Sequence, residues 1–166
     1  MDKQTLHQIG EKGKENVLAL DLGQKTGWAL RQADGQITSG TVEFKPGRFE
    51  GGGMTFVRFK HWLDEVLAFA SPIGSVHFEE CRRHLGTSAA HAYGGFLAHL
   101  TAWAEFNKIP YQGIPVGTIK KHATGNGNAG KPQVIAAMQT LGHNPADDNE
   151  ADALAILHFA LDKEVV

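Results

Sequence analysis

The sequence predicts a single α/β domain on a five-stranded mixed sheet, three antiparallel strands then two parallel ones, with helices on both faces. Three observations predict it. The first apolar runs follow one another with only turn signals between them, which makes an antiparallel meander. From Met54 onward, segments of helical period alternate with short apolar runs, the pattern of strands joined by helical crossovers. The length of 166 residues, 42% of them hydrophobic, suits one core rather than two.

Residues 1–16 are polar, carry both charge signs and lack a usable period, so a mobile tail is expected there and the domain is expected to span 17–166. Val17-Leu18-Ala19-Leu20-Asp21-Leu22 is an apolar run closed by Gly23, the mark of a strand buried on both faces. Asp21 lies inside that run. A buried carboxylate needs a cation, a metal or several donors, and this is one reading of Asp21; the other is that it ends the strand and starts the Gly23 turn.

Ala33-Asp34-Gly35 joins 28–32 to 36–44 as an antiparallel pair. The glycine-rich stretch 46–53, with Arg48 and Glu50, reads as a mobile linker. Phe56, Phe59, Leu63, Val66, Leu67 and Ala70 recur at i, i+3 and i+4, which predicts a helix from Met54 to the Pro72–Gly74 stop. A fourth strand follows over 75–80, with Glu79 and Glu80 at its end. Thr87 or Ser88 is the expected cap of a helix running to about Lys108, and its Gly94-Gly95 pair offers a close approach to a neighbour. Strand five is expected over 111–116 and a short helix with Lys120, Lys121 and His122 over 118–124. Lys131-Pro132 opens the next helix and Gly142 ends it. The last helix starts near Asp147.

Charge is nearly balanced, 16 basic against 18 acidic residues for a formal net of −2, which neither advertises nor excludes nucleic-acid binding. The single cysteine, Cys81, rules out an internal disulfide and a multi-cysteine zinc site and makes a reducing compartment the expectation. Cys81 itself reads as packing rather than a nucleophile. The nine histidines form no H-x-x-x-H pair, which argues against zinc. No apolar run approaches the ~20 residues of a membrane span, and the start lacks a signal-peptide core, so a cytoplasmic protein with no membrane partner is expected.

Beside Asp21 stand Glu79 or Glu80 and the set Asp147, Asp148, Glu150 and Asp152. Asp147 with Glu150 makes a capping pair, which accounts for two of them. Asp148 and Asp152, four apart, share a helix face, and capping does not account for Asp152, a turn inside an apolar segment. Carboxylates converging from two strand ends and a helix repel one another unless divalent cations lie between them. Oxygen-only ligation suits Mg²⁺ or Mn²⁺, and two such ions roughly 3.5–4 Å apart can activate water against a phosphodiester.

Leu20-Asp21-Leu22-Gly23 with Thr26-Gly27, the Phe78-Glu79 strand end, Lys120, Gly125-Asn126-Gly127-Asn128-Ala129-Gly130-Lys131-Pro132 and Glu150-Ala151-Asp152-Ala153-Leu154-Ala155-Ile156 together resemble RuvC-type Holliday junction resolvases. The match spans roughly 17–160, in order, and looks closest to members carried by phages and prophages. The resemblance implies an RNase H-like fold, a homodimer, and Mg²⁺-dependent paired nicking of four-way and other branched DNA, in the host cytoplasm if phage-encoded, with Mn²⁺ able to substitute and two ions per site. It places Asp21, Glu79 and Asp152 at metal-binding catalytic positions and Lys120 and Lys131 near the scissile phosphate.

The pattern departs from the family twice. Asn149 stands where the family has an Asp or His, so Asp148 or Asn149 completes the metal set. Arg82 stands where some members carry a wedging aromatic, so phosphate contact by Arg82 and Arg83 is expected in its place. Lys121, His84, Asn126 and Asn128 complete the DNA-binding set on the same resemblance. The formal G-x-x-x-x-G-K match at 125–131 is not a phosphate loop, because Pro132 replaces the required Ser or Thr and no apolar strand precedes it. Two other enzyme classes share parts of the pattern. A sugar-kinase-like phosphotransferase has an Asp-x-Gly-x-x-Thr motif but needs a second nucleotide-binding domain, which 166 residues do not hold. An RNA–DNA hybrid nuclease differs only in substrate. A junction-binding protein without nuclease activity is the non-enzymatic alternative.

Overall fold

A computed structural model describes residues 15–83 and 86–164. The expected tail over 1–14 lies outside the described residues. Strands β1 (Asn16–Asp21), β2 (Lys25–Arg31) and β3 (Ile37–Glu43) form the meander, followed by α1 (Met54–Ala70), β4 (Ile73–Glu80), α2 (Thr87–Phe106) and β5 (Tyr111–Pro115). Helices α3 (Val116–Thr124), α4 (Lys131–Thr140) and α5 (Asp148–Glu164) complete the order. The sheet runs β3-β2-β1-β4-β5, with β1 antiparallel to β2, β2 antiparallel to β3, and β1, β4 and β5 mutually parallel, as the sequence predicts. Among the described residues, no helix is long and apolar enough to cross a membrane.

Side chains on a strand alternate between faces, and β1 shows it directly. Leu18 and Leu20 join Val76, Phe78, Phe59, Leu63, Phe96 and Leu100 in a core under α1 and α2. Val17 and Ala19 face the other way, into a second core formed with Ile119, Val134, Leu154 and Leu157 of the remaining helices. Both faces of β1 are therefore dry, which is why the strand is apolar without interruption up to Asp21.

Three local expectations change and a fourth, the close approach at Gly94-Gly95, is met within the chain. Asn16 belongs to the domain rather than the tail: its buried amide donates to the Ala70 carbonyl and accepts from the Ala33 backbone, tying β1 to α1 and to the β2–β3 turn. Stretch 46–53 is bolted down by Glu50, whose carboxylate accepts from the Gly47 N–H and pairs with Arg58 at 2.7 Å, while Arg58 also donates to the Lys45 carbonyl. Neither Thr87 nor Ser88 caps α2; the cap position is Gly86, with no side-chain bond. The absent side chain of Gly95 is replaced by the Phe56 ring of α1, so this glycine serves packing within the chain, whereas Gly94 opens to free space.

Candidate functional site

The carboxyl ends of β1 and β4 are neighbours because the two strands are parallel, with Ala19 opposite His77 and Leu20 opposite Phe78. One residue further along each strand stand Asp21 and Glu79. The pleat puts both on the Val17–Ala19 face, the face covered by α5. Glu80 points the other way and pairs with Arg82 at 3.4 Å, so the geometry selects Glu79 from the acidic pair. The turn after Asp21 is closed by the buried Thr26, whose hydroxyl donates to the Gly23 carbonyl at 2.6 Å.

Helix α5 brings the third acid. Asp147 caps it, accepting from the Glu150 N–H at 2.9 Å, and Glu150 reaches back to the Ala146 N–H at 2.8 Å. The two acids cap the helix entry, as the sequence predicts, with Glu150 reaching one residue past Asp147. The same two acids are fastened to β3: Thr41 donates to Asp147 and Ser39 to Glu150, each at 2.7 Å. The helix entry is thereby held on the sheet, and its backbone at Asn149 fills the space where Gly27 has no side chain. Gly27 is thus a packing glycine for the helix.

So anchored, α5 sets Asp152 beside Glu79. The two acids share a narrow crevice with Lys120, walled by Val116, Ile119, Val134 and Ile156. Burial pushes the Asp21 carboxyl well above the usual carboxylate range, and the charges of Glu79 and Asp152 push it further. Burial and the neighbouring Glu79 and Asp148 raise Asp152 to about 6, and burial raises Glu79 against the opposing pull of Lys120. The Asp21 and Glu79 side chains also act on each other directly, which raises Asp21 further and opposes the rise of Glu79. Among the described residues no three acidic, histidine or cysteine side chains are already closed into a metal cage. The acids nonetheless form a donor set that fits a hard divalent cation: all oxygen, partly desolvated and mutually repelling, with Lys120 and Lys131 opposing them only in part.

Asp148 stands at the rim rather than in the crevice, held by Lys131 at 2.6 Å, and Lys131 keeps its carboxyl below the usual range. Lys131 itself is 75% exposed and feels the charges of Asp152 and Asp21 as well. Asn149 lies beside it in the first turn of α5, half-buried. Lys121 is exposed at the next position to Lys120, and His122 turns to Asp162 at the far side of α3. Arg82 and Arg83 are exposed at the end of β4, while His84 lies outside the described residues. Asn126 shapes its loop by accepting from the Asn128 N–H at 2.9 Å, and both are exposed.

Tyr93 carries no sequence signal for this site but belongs to it. Its hydroxyl donates to the Glu79 carbonyl at 2.7 Å and accepts from the Cys81 N–H at 3.2 Å, stapling the end of β4 where Glu79 departs. A tyrosine in the first turns of α2 has no pattern that could reveal a contact fourteen residues back along the chain.

No family model and no curated protein matches the chain. Solved structures do share its fold. The structure of Thermus thermophilus RuvC in complex with a Holliday junction substrate superposes with a TM-score of 0.70 at 22% identity, covering 86% of this chain and 90% of that one. A second Thermus thermophilus RuvC structure gives a TM-score of 0.64 at 24% identity over 85% and 90% of the two chains. The yeast mitochondrial Holliday junction resolvase Ydc2 gives 0.56 at 13% identity over 86% and 76%.

Proposed function

We propose that this chain is a RuvC-type Holliday junction resolvase, a metal-dependent endonuclease that nicks four-way and other branched DNA. The observation that carries the reading is the meeting of Asp21, Glu79 and Asp152 at the carboxyl edge of β1 and β4, in a fold shared with junction resolvases. Asp21, Glu79 and Asp152 would hold Mg²⁺, or Mn²⁺ in its place, two ions per site, with Asp148 or Asn149 completing the set from the rim. When bound, such ions lower the pKa of water to make a nucleophile and offset charge on the phosphate.

The chain's own residues supply the rest. Lys120, inside the crevice, sets the local potential against three acids, and Lys131 is free to swing from Asp148 to a phosphate oxygen, since an exposed ion pair is worth only ~1 kcal/mol or less. Arg82, Arg83, His84, Lys121, Asn126 and Asn128 would contact the DNA backbone. In-line attack by water would leave 5′-phosphate and 3′-hydroxyl ends. A homodimer with α2 at its interface would place two such sites on two strands, and a DNA-processing enzyme of this kind works in the cytoplasm.

The test is cleavage of labelled four-way, flap, duplex and RNA–DNA hybrid substrates with and without Mg²⁺. Symmetric, Mg²⁺-dependent nicks in the four-way substrate support the reading, and cutting of hybrid alone would redirect it to an RNase H-type activity. Tight junction binding without cutting in Mg²⁺ or Mn²⁺ would mean that Asn149 and the Lys131-bound Asp148 leave the metal set too weak for catalysis.

Tyr93→Phe keeps the ring and removes the staple on the Glu79 carbonyl. Supporting groups of metal ligands typically matter by 10–100-fold, so kcat should fall about 10-fold while junction affinity measured in EDTA stays within about twofold. An unchanged kcat would remove Tyr93 from the positioning of Glu79.

A further inference from the structure

We propose that His143 and His158 form a second metal site, distinct from the carboxylate crevice, that binds a borderline transition cation of the Zn²⁺ or Ni²⁺ class. The two Nε2 atoms lie 2.7 Å apart, with ring centroids separated by 5.0 Å, although the residues are fifteen apart in sequence. A search for an i, i+4 histidine pair passes over them, because tertiary structure, not one helix, brings them together.

Each imidazole is held. Gly142, at φ 92°, turns the chain out of α4, and the His143 N–H bonds back to the Met138 carbonyl at 3.1 Å. His158 is half-buried on α5, six residues beyond Asp152, which is about 9 Å along the helix axis. One turn further on the same face of α5 is Asp162, bonded to His122 Nε2 of α3 at 2.7 Å. His122, His158 and Asp162 border a groove of about 690 Å³ between α3, α4 and α5.

Two imidazole nitrogens 2.7 Å apart, with the Asp162 carboxylate and the His122 imidazole on the adjoining groove, are the donor types that match borderline metals far better than Mg²⁺. A tetrahedral cation at about 2.0–2.1 Å from each nitrogen needs them about 3.3 Å apart, so binding would replace the hydrogen bond between the rings and spread them by about 0.6 Å. Among the described residues no three such side chains are closed together already, so the third ligand is Asp162 turned from His122, or water. Burial lowers the pKa of His158, with the His143 and His122 charges acting the same way and Asp162 opposing them.

The experiment is isothermal titration of the full chain with ZnCl₂ in excess Mg²⁺, together with the visible spectrum of the Co²⁺ adduct. One equivalent per chain is expected, weakened at least about 10-fold in His143→Ala, His158→Ala and His143→Gln and retained in Asp21→Asn. The Gln variant preserves a hydrogen bond to His158, and thermal melts of all four report whether each is folded. Binding that is unchanged in folded His variants, or lost with Asp21→Asn, overturns the proposal. Because no nuclease assay enters, the outcome is independent of the proposed activity.

Discussion

Asp21→Asn will abolish nicking of a four-way junction in Mg²⁺ and, in metal-free buffer at neutral pH, will make the protein more stable than the wild type. Both effects come from one arrangement. Asp21 is the most deeply placed of the three acids, and Asn offers one neutral oxygen where the metal set needs an anion. Loss on the order of 10³-fold in rate is expected, the scale seen when a group that stabilises transition-state charge is removed.

The stability effect follows from the same charges. Asp21, Glu79 and Asp152 all have folded-state pKa values above the usual carboxylate range, with Asp152 at about 6. The fold therefore binds these protons more tightly than the unfolded chain does. The stability this contributes is complete below the unfolded carboxylate range, near pH 4, and is lost as pH rises through the folded values. In EDTA, the stability gap between Asp21→Asn and the wild type should therefore widen from pH 5 to pH 7.5, a comparison in which the opposing contribution of the low-pKa His77 and His158 cancels. Asn at position 21 removes one of the repelling charges, so the variant should gain about 1–2 kcal/mol at pH 7.5 by urea denaturation. Excess Mg²⁺ should narrow the gap by stabilising only the wild type. A gap that narrows from pH 5 to 7.5 in metal-free buffer, or a variant that is weaker at pH 7.5, would contradict the electrostatic account.

Part of this arrangement is legible in the amino-acid sequence. The unbroken apolar run into Asp21 signals a strand dry on both faces, and strand alternation then makes the face of Asp21 a matter of counting from Val17 and Ala19. The split between structural and site acids on α5 was legible too, because Asp147 and Glu150 have capping spacing and Asp152 does not. Legibility ends where a partner is distant in sequence. Thr41 and Ser39 hold the α5 cap from more than a hundred residues away, Tyr93 staples the exit of β4 from another helix, and Asn16 looks like tail until its amide meets Ala70 and Ala33. Gly95 illustrates the same limit from the other side, since a small residue announces a close approach without naming Phe56 as the group that makes it.

Gly27→Ala is the substitution expected to damage the fold most per atom added, and it separates the two roles a motif glycine can have. A Cβ at this position would overlap the Asn149 carbonyl, a backbone group in the first turn of α5. A flexible side chain could swing aside; this backbone cannot, because Asp147 and Glu150 are fastened to Thr41 and Ser39 on the neighbouring strand. The helix entry must lift from β2, loosening those bonds and moving Asp152 away from Asp21 and Glu79. Overpacking at an unyielding site costs about 1–3 kcal/mol and sometimes more, and breaking the cap adds about 1 kcal/mol, so a loss of about 3 kcal/mol is expected in urea denaturation. Nuclease activity should fall with it even at a temperature where the variant is folded, because the acids no longer meet. Gly23→Ala is the matching control: its Cβ would meet only the Lys25 carbonyl at 3.4 Å, an ordinary contact, so stability within about 1 kcal/mol of wild type is expected. If the two variants were equally stable and equally active, the close approach at Asn149 would not be what places Asp152, and the third acid would owe its position to the apolar packing of α5 alone.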